Sequence, residues 1–135
     1  MKFIKDHGGR DKYTRCRFKK DNTNDCVIRA IAIATGREYR IVRDDLFELA
    51  KDMWVMPNDK ECYEAHLTRL GWVKHSPLKK GMRKVKVRDF PVKTGAVIIS
   101  TCNHLTTIVD GNIHDTWNTG NYAANSYYTH APTNL

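Results

Sequence analysis

Three side chains far apart in the sequence have the types and settings that nucleophilic catalysis needs. Cys26 follows Thr23-Asn24-Asp25, a cluster of helix N-cap residues, and opens the run Cys26-Val27-Ile28-Arg29-Ala30-Ile31-Ala32-Ile33-Ala34-Thr35-Gly36. A thiol at a helix start feels unsatisfied N–H groups and the positive end of the helix dipole. Both lower its pKa and favour the thiolate, the nucleophilic form. His104 and Asp115 flank Asp110-Gly111, a dipeptide that marks a β-hairpin when it lies between apolar runs. With those two residues at the centre of the turn, Ile108 faces Ile113, Thr106 faces Asp115 and His104 faces Trp117. Opposed residues share a sheet face, so His104, Thr106, Asp115 and Trp117 fall together, with Asp115 diagonal to His104 and within reach. Sliding the turn to Gly111-Asn112 changes the pairs but leaves His104, Asp115 and Trp117 on one face. A histidine oriented by a carboxylate is the base half of a nucleophilic triad.

The elements that must bring these residues together can be read from periodicity. Ala and Ile surround the helix behind Cys26 on nearly all sides, so it should be buried, and Gly36 should end it. A second helix is expected over about residues 40–53, with Ile41, Val42, Leu46, Leu49, Ala50 and Met53 as its apolar stripe. Pro57-Asn58-Asp59 introduces a third, over about 60–70, where Cys62, Ala65, His66 and Leu70 share a face and Gly71 stops the helix. The pattern then alternates. Short strands are expected at 72–75, 95–100, 105–109 and 113–117, with an edge strand at Lys84–Arg88 and a last, Tyr-rich strand within 122–130. Helices first and an antiparallel sheet after them give an α+β fold. Residues 1–20 read as a basic arm with a short strand at Thr14–Phe18, and 21–135 as one domain.

A helix-opening Cys, a later strand His and an Asp or Asn on the next strand is an order that resembles papain-like cysteine proteases. The segments Asn24–Ala30 and His104–Trp117 look like those of short papain-like, bacteriocin-processing-peptidase-like proteins of tailed bacteriophages. The resemblance covers mainly residues 21–36 and 95–118. It implies N-terminal helices packed on a C-terminal antiparallel sheet and a Cys26-His104-Asp115 triad acting on a protein or peptide in the host cytoplasm. It also implies that Trp117, two residues past Asp115, covers the His–Asp bond. The family places a Gln six residues before the Cys for the oxyanion hole, but this chain has Lys20 there. Asn22, Asn24 or a backbone N–H would serve instead. Asn22 is taken, because four residues give the loop room to fold back.

Composition narrows the alternatives. The 135 residues carry 23 Lys and Arg against 15 Asp and Glu. Residues 74–93 hold 8 of those basic groups and 1 acidic, whereas 94–135 hold no Lys or Arg at all. Lys79, Lys80, Arg83, Lys84, Lys86 and Arg88 therefore suit an acidic partner, and a nucleic acid is the less favoured one because no aromatic residues interleave with the basic run. A basic inhibitor or binding module with an unused site is one competing reading, and an acyl transferase or transglutaminase-like enzyme is another. Cys16, Cys26, Cys62 and Cys102 form no C-x-x-C pair, so no metal or other cofactor is expected. No apolar run approaches the ~18 residues of a membrane helix, nor does Met1–Asp6 open a signal peptide. The expectation is a soluble, cytoplasmic protein without membrane contact.

Overall fold

The computed structural model describes residues 1–13 and 24–130. The described residues form an α+β fold: three α-helices and a six-stranded, mostly antiparallel sheet. Helix α1 spans Cys26–Thr35, α2 Tyr39–Met53 and α3 Lys60–Arg69. The strands are β1 Phe3–Lys5, β2 Trp72–His75, β3 Lys79–Lys80, β4 Arg83–Lys84, β5 Ala96–Thr101, β6 His104–Val109, β7 Asn112–Asp115 and β8 Ser126–His130. The large sheet runs β1-β7-β6-β5-β8-β2, and β3 pairs only with β4. Among the six strands, only the β1–β7 pair is parallel. The expected strand at Thr14–Phe18 lies outside the described residues.

Both sheet faces are covered, which explains the unbroken apolar run of β5. Ile98 faces the helices with Leu105 and Tyr128, against Ile31, Val42, Leu46 and Leu67. Val97 and Ile99 face the other way, where Ile108, Ile113 and Tyr127 meet Val87, Phe90 and Val92 from the segment ahead of β5. Strand side chains alternate between faces, so a run that is apolar at every position signals burial on both. Helix α1 is buried from Val27 to Ala32, as its composition predicts, and Gly36 closes it with its N–H on the Ala32 carbonyl at 3.0 Å. Thr107 Oγ1 on β6 donates to the Ala30 carbonyl at 3.0 Å, pinning helix to sheet.

Two expectations need correction. Ile41 is 44% exposed, outside the buried stripe of Val42, Leu46, Leu49 and Ala50 on α2. Lys84–Arg88 is not an edge strand. Lys84 ends the β3–β4 ribbon, and a 3₁₀ turn spans Val87–Asp89. The backbone of 85–88 is held instead by residues 120–124: Ala124 N–H donates to the Val85 carbonyl, Val87 N–H to Tyr122 and Arg88 N–H to Gly120. The valines alternate as in a strand, but their hydrogen bonds go to a returning loop.

The sheet and α3 are also joined by a charge-assisted hydrogen bond. Tyr128 Oη donates to Glu64 Oε2 at 2.6 Å, and Lys74 Nζ lies 3.0 Å from the same oxygen. Burial pushes the Glu64 carboxyl up, yet the bonds from Tyr128 and Lys74 outweigh it and hold the pKa below the usual carboxylate range. A depressed carboxylate contributes stability above its unfolded pKa and loses it as pH falls through the folded value. Tyr128→Phe is expected to cost about 1.5–3 kcal/mol at neutral pH and to flatten the acid limb of stability, checked by denaturant unfolding across the acid range.

Candidate active site

Cys26 is the first residue of α1, and Asp25 is its N-cap. The Asp25 carboxylate makes no capping bond to the helix. It is engaged elsewhere: Oδ1 accepts from Arg29 Nη1, and Oδ2 accepts from Tyr39 Oη at 2.8 Å and lies 3.2 Å from Arg10 Nε. The first-turn N–H groups beside Cys26 therefore gain no side-chain cap from Asp25, and the start of α1 keeps its positive potential.

His104 opens β6 and Asp115 closes β7, so hairpin topology puts both at one end of the sheet. The register is the expected one: Thr107 pairs with His114, Ile108 with Ile113 and Val109 with Asn112. Asp110 and Gly111 form the turn with φ of 49° and 82°. Two successive positive φ values make this the twist-matched hairpin turn that Asp-Gly favours. His104 Nε2 lies 2.7 Å from Asp115 Oδ2. The other carboxylate oxygen accepts the Thr116 N–H at 2.7 Å and lies 3.7 Å from Arg29 Nη2. Strand β7 ends at Asp115, so Trp117 is not a strand partner of His104. It meets the imidazole ring to ring instead, with centroids 5.0 Å apart, and Tyr122 packs edge-on against the indole at 5.2 Å.

Arg29 joins helix to hairpin. Its side chain is 5% exposed and lies between Asp25 and Asp115. The N-terminal segment closes over the same spot. Lys5 is in register with Asp115, and Asp6 N–H donates to the Asp115 carbonyl at 2.8 Å. Gly8 then passes so near α1 that a Cβ there would lie 3.0 Å from the Arg29 carbonyl oxygen, at a φ of 65° that disfavours any side chain. His114 faces away from His104 and bonds Asp6 Oδ2 through Nδ1 at 2.9 Å.

The electrostatics follow from this packing. Burial pushes the Cys26 thiol up. The hydrogen bond with His104, the Leu105 backbone N–H and the positive charges of His104 and Arg29 outweigh that effect, and the thiol pKa falls below its ordinary value. Burial pushes His104 down. Its hydrogen bonds to Asp115 and Cys26, with the charges of both, reverse this and raise it to about 9. Nε2 is on the carboxylate, which leaves Nδ1 for the sulfur. Cys62 shows the opposite behaviour: it is fully buried, and burial raises its thiol.

An open cleft of ≈ 860 Å³ runs past Cys26 and His104, walled by Tyr63, His75, Ser100 and Asn125 among others. Cys102 is exposed in the turn before His104 and lines the same cleft. Asn22 lies outside the described residues. No group of three or more His, Cys, Asp or Glu among the described residues is arranged to hold a metal ion. No described helix is long and apolar enough to cross a membrane. Nothing local in the sequence points to the β1 pairing behind Asp115 or to the Tyr122 support of Trp117. Arg29, three residues past Cys26, is from sequence a candidate to neutralise Asp25 or Asp115, and it lies against both. No protein-family model, curated protein or solved structure matches this chain.

Two outcomes are expected. Iodoacetamide should alkylate Cys26 ahead of the other cysteines near neutral pH. His104→Ala should slow that labelling about tenfold for each pKa unit the thiol regains, read by mass mapping over time. Asp25→Ala strips Arg29 of its nearer carboxylate and should lower unfolding free energy by about 3–5 kcal/mol in denaturant titrations.

Proposed function

We propose that this chain is a papain-like cysteine hydrolase that cleaves a protein or peptide with Cys26 as nucleophile, His104 as general base and acid, and Asp115 as its orienter. The carrying observation is the His104 ring bound through Nε2 to Asp115 at 2.7 Å beside the Cys26 thiol, whose pKa the imidazole lowers. The carboxylate fixes the tautomer and leaves Nδ1 for the sulfur, which is the role of the third member of a triad.

The chemistry follows directly. His104 Nδ1 holds the Cys26 proton as an imidazolium, and the thiolate attacks an amide or thioester carbonyl carbon. The backbone N–H of Cys26, at the helix start, is placed to meet the developing oxyanion, with Asn22 as the side-chain candidate. The bond to the leaving group breaks, and His104 returns the proton to the departing amine or thiol. Water, losing its proton to His104, then attacks the thioester, the acid product leaves and the thiol is restored. An amine in place of water would make the same acyl enzyme a transferase. Trp117 over the His104 ring limits water at the His–Asp bond and strengthens it. The basic stretch Lys79–Arg88 suits an acidic partner, and the chain is proposed to act in the cytoplasm of a phage-infected cell.

The test is release of soluble peptides from an unfolded fluorescent protein. Cys26→Ala should abolish turnover, and Asp115→Ala, which leaves the imidazole without an orienting acceptor, should reduce kcat about 10²–10⁴-fold. Turnover should rise with pH as Cys26 ionises and fall as His104, the acid for the leaving group, loses its proton at about 9. Full activity in Cys26→Ala would end the proposal.

A further inference from the structure

The β3–β4 ribbon is built from four cations. Lys79 lies opposite Lys84 and Lys80 opposite Arg83, so both cross-strand pairs set like charges face to face. Such pairs are destabilising, and none of the four forms an ion pair with a carboxylate among the described residues. Lys84 Nζ binds only an amide oxygen, Asn125 Oδ1, at 3.2 Å. The ribbon thus holds positive charge that the described fold does not neutralise, and all four residues are exposed.

Its position gives that charge a use. Ser76 and Pro77, immediately ahead of the ribbon, line the Cys26 cleft, and so does Asn125, the partner of Lys84. The ribbon therefore grows out of the cleft wall. The cleft lining itself carries Lys60 and Lys74 against one carboxylate, Asp59, with Lys74 paired to Glu64. At the ribbon's tip Met82 is 97% exposed, a flexible apolar contact.

We propose that the β3–β4 ribbon is a recognition arm that binds acidic stretches of a polypeptide substrate and holds the chain in the Cys26 cleft. This rests on the hydrolase reading of that cleft and names its substrate class. The ribbon acts on binding rather than chemistry, so its removal should affect capture of acidic chains and leave the reactivity of Cys26 intact.

The experiment compares two peptides of equal length, one Glu-rich and one Gln-rich, each capped with an iodoacetyl group whose iodide the Cys26 thiolate displaces. At low salt the Glu-rich peptide should label Cys26 roughly tenfold faster or more, and added salt should shrink the difference. The triple variant Lys79→Gln, Lys80→Gln, Arg83→Gln should lose this preference while free iodoacetamide labels Cys26 at the wild-type rate. A triple variant that keeps the preference, or a wild type without one despite selective iodoacetamide labelling, overturns the inference. So does a DNA duplex that blocks Glu-peptide labelling at lower charge concentration than unreactive Glu-rich peptide, since the arm would then be a nucleic-acid site. Slow, unselective iodoacetamide labelling of the wild type would instead sink the hydrolase reading, and the recognition arm with it.

Discussion

A buried guanidinium cannot be left without counter-charge, and this fold is arranged around one. Arg29, the fourth residue of a helix made mostly of Ala, Ile and Val, lies between Asp25 at the helix N-cap and Asp115 on β7. Removing either carboxylate from such a cluster costs several kcal/mol, so the start of α1 and the end of β7 are tied to one position relative to each other. Those two places carry Cys26 and the partner of His104. The N-terminal segment reinforces the tie from outside, with Asp6 on the Asp115 backbone, Gly8 against the Arg29 carbonyl and Arg10 on Asp25.

The same cluster sets the charge order of the site. Reading from the cleft inward, the groups are the thiol, the imidazole, the Asp115 carboxylate, the Arg29 guanidinium and the Asp25 carboxylate, so a thiolate and an imidazolium extend an alternation of sign that is already in place. This is why two half-buried groups, each of which burial alone would neutralise, shift toward their charged forms. Asp25 shows the associated cost. Its carboxylate serves Arg29, Tyr39 and Arg10 instead of capping its own helix, which gives up local helix stability and leaves positive potential beside the sulfur.

Much of this was legible in the sequence. Asp110-Gly111 marks the hairpin, and either placement of its turn, on Asp110-Gly111 or Gly111-Asn112, sets His104 and Asp115 on one face. The helix at Cys26–Thr35 is marked at both ends, by the Thr23-Asn24-Asp25 cluster and Gly36. What could not be read depends on partners distant in the chain. Phe3–Lys5 is three exposed residues whose strand character comes only from pairing with β7. Lys84–Arg88 alternates like an edge strand, but loop 120–124 takes its hydrogen bonds. Ile41 is apolar yet faces solvent, because a helical stripe is set by what packs on it as well as by period. The link from Arg29 to Asp115 spans most of the chain; the position of Arg29 just past Cys26 leaves Asp25 and Asp115 both open as partners, and only the packed fold brings the two to it together.

The account turns on His104 being held as an imidazolium between the sulfur and the carboxylate. An NMR titration of the His104 ring nitrogens in the intact chain measures this directly. The account predicts that the ring loses its proton only at about 9. A ring that titrates in the ordinary histidine range, near pH ~6.5, would contradict it.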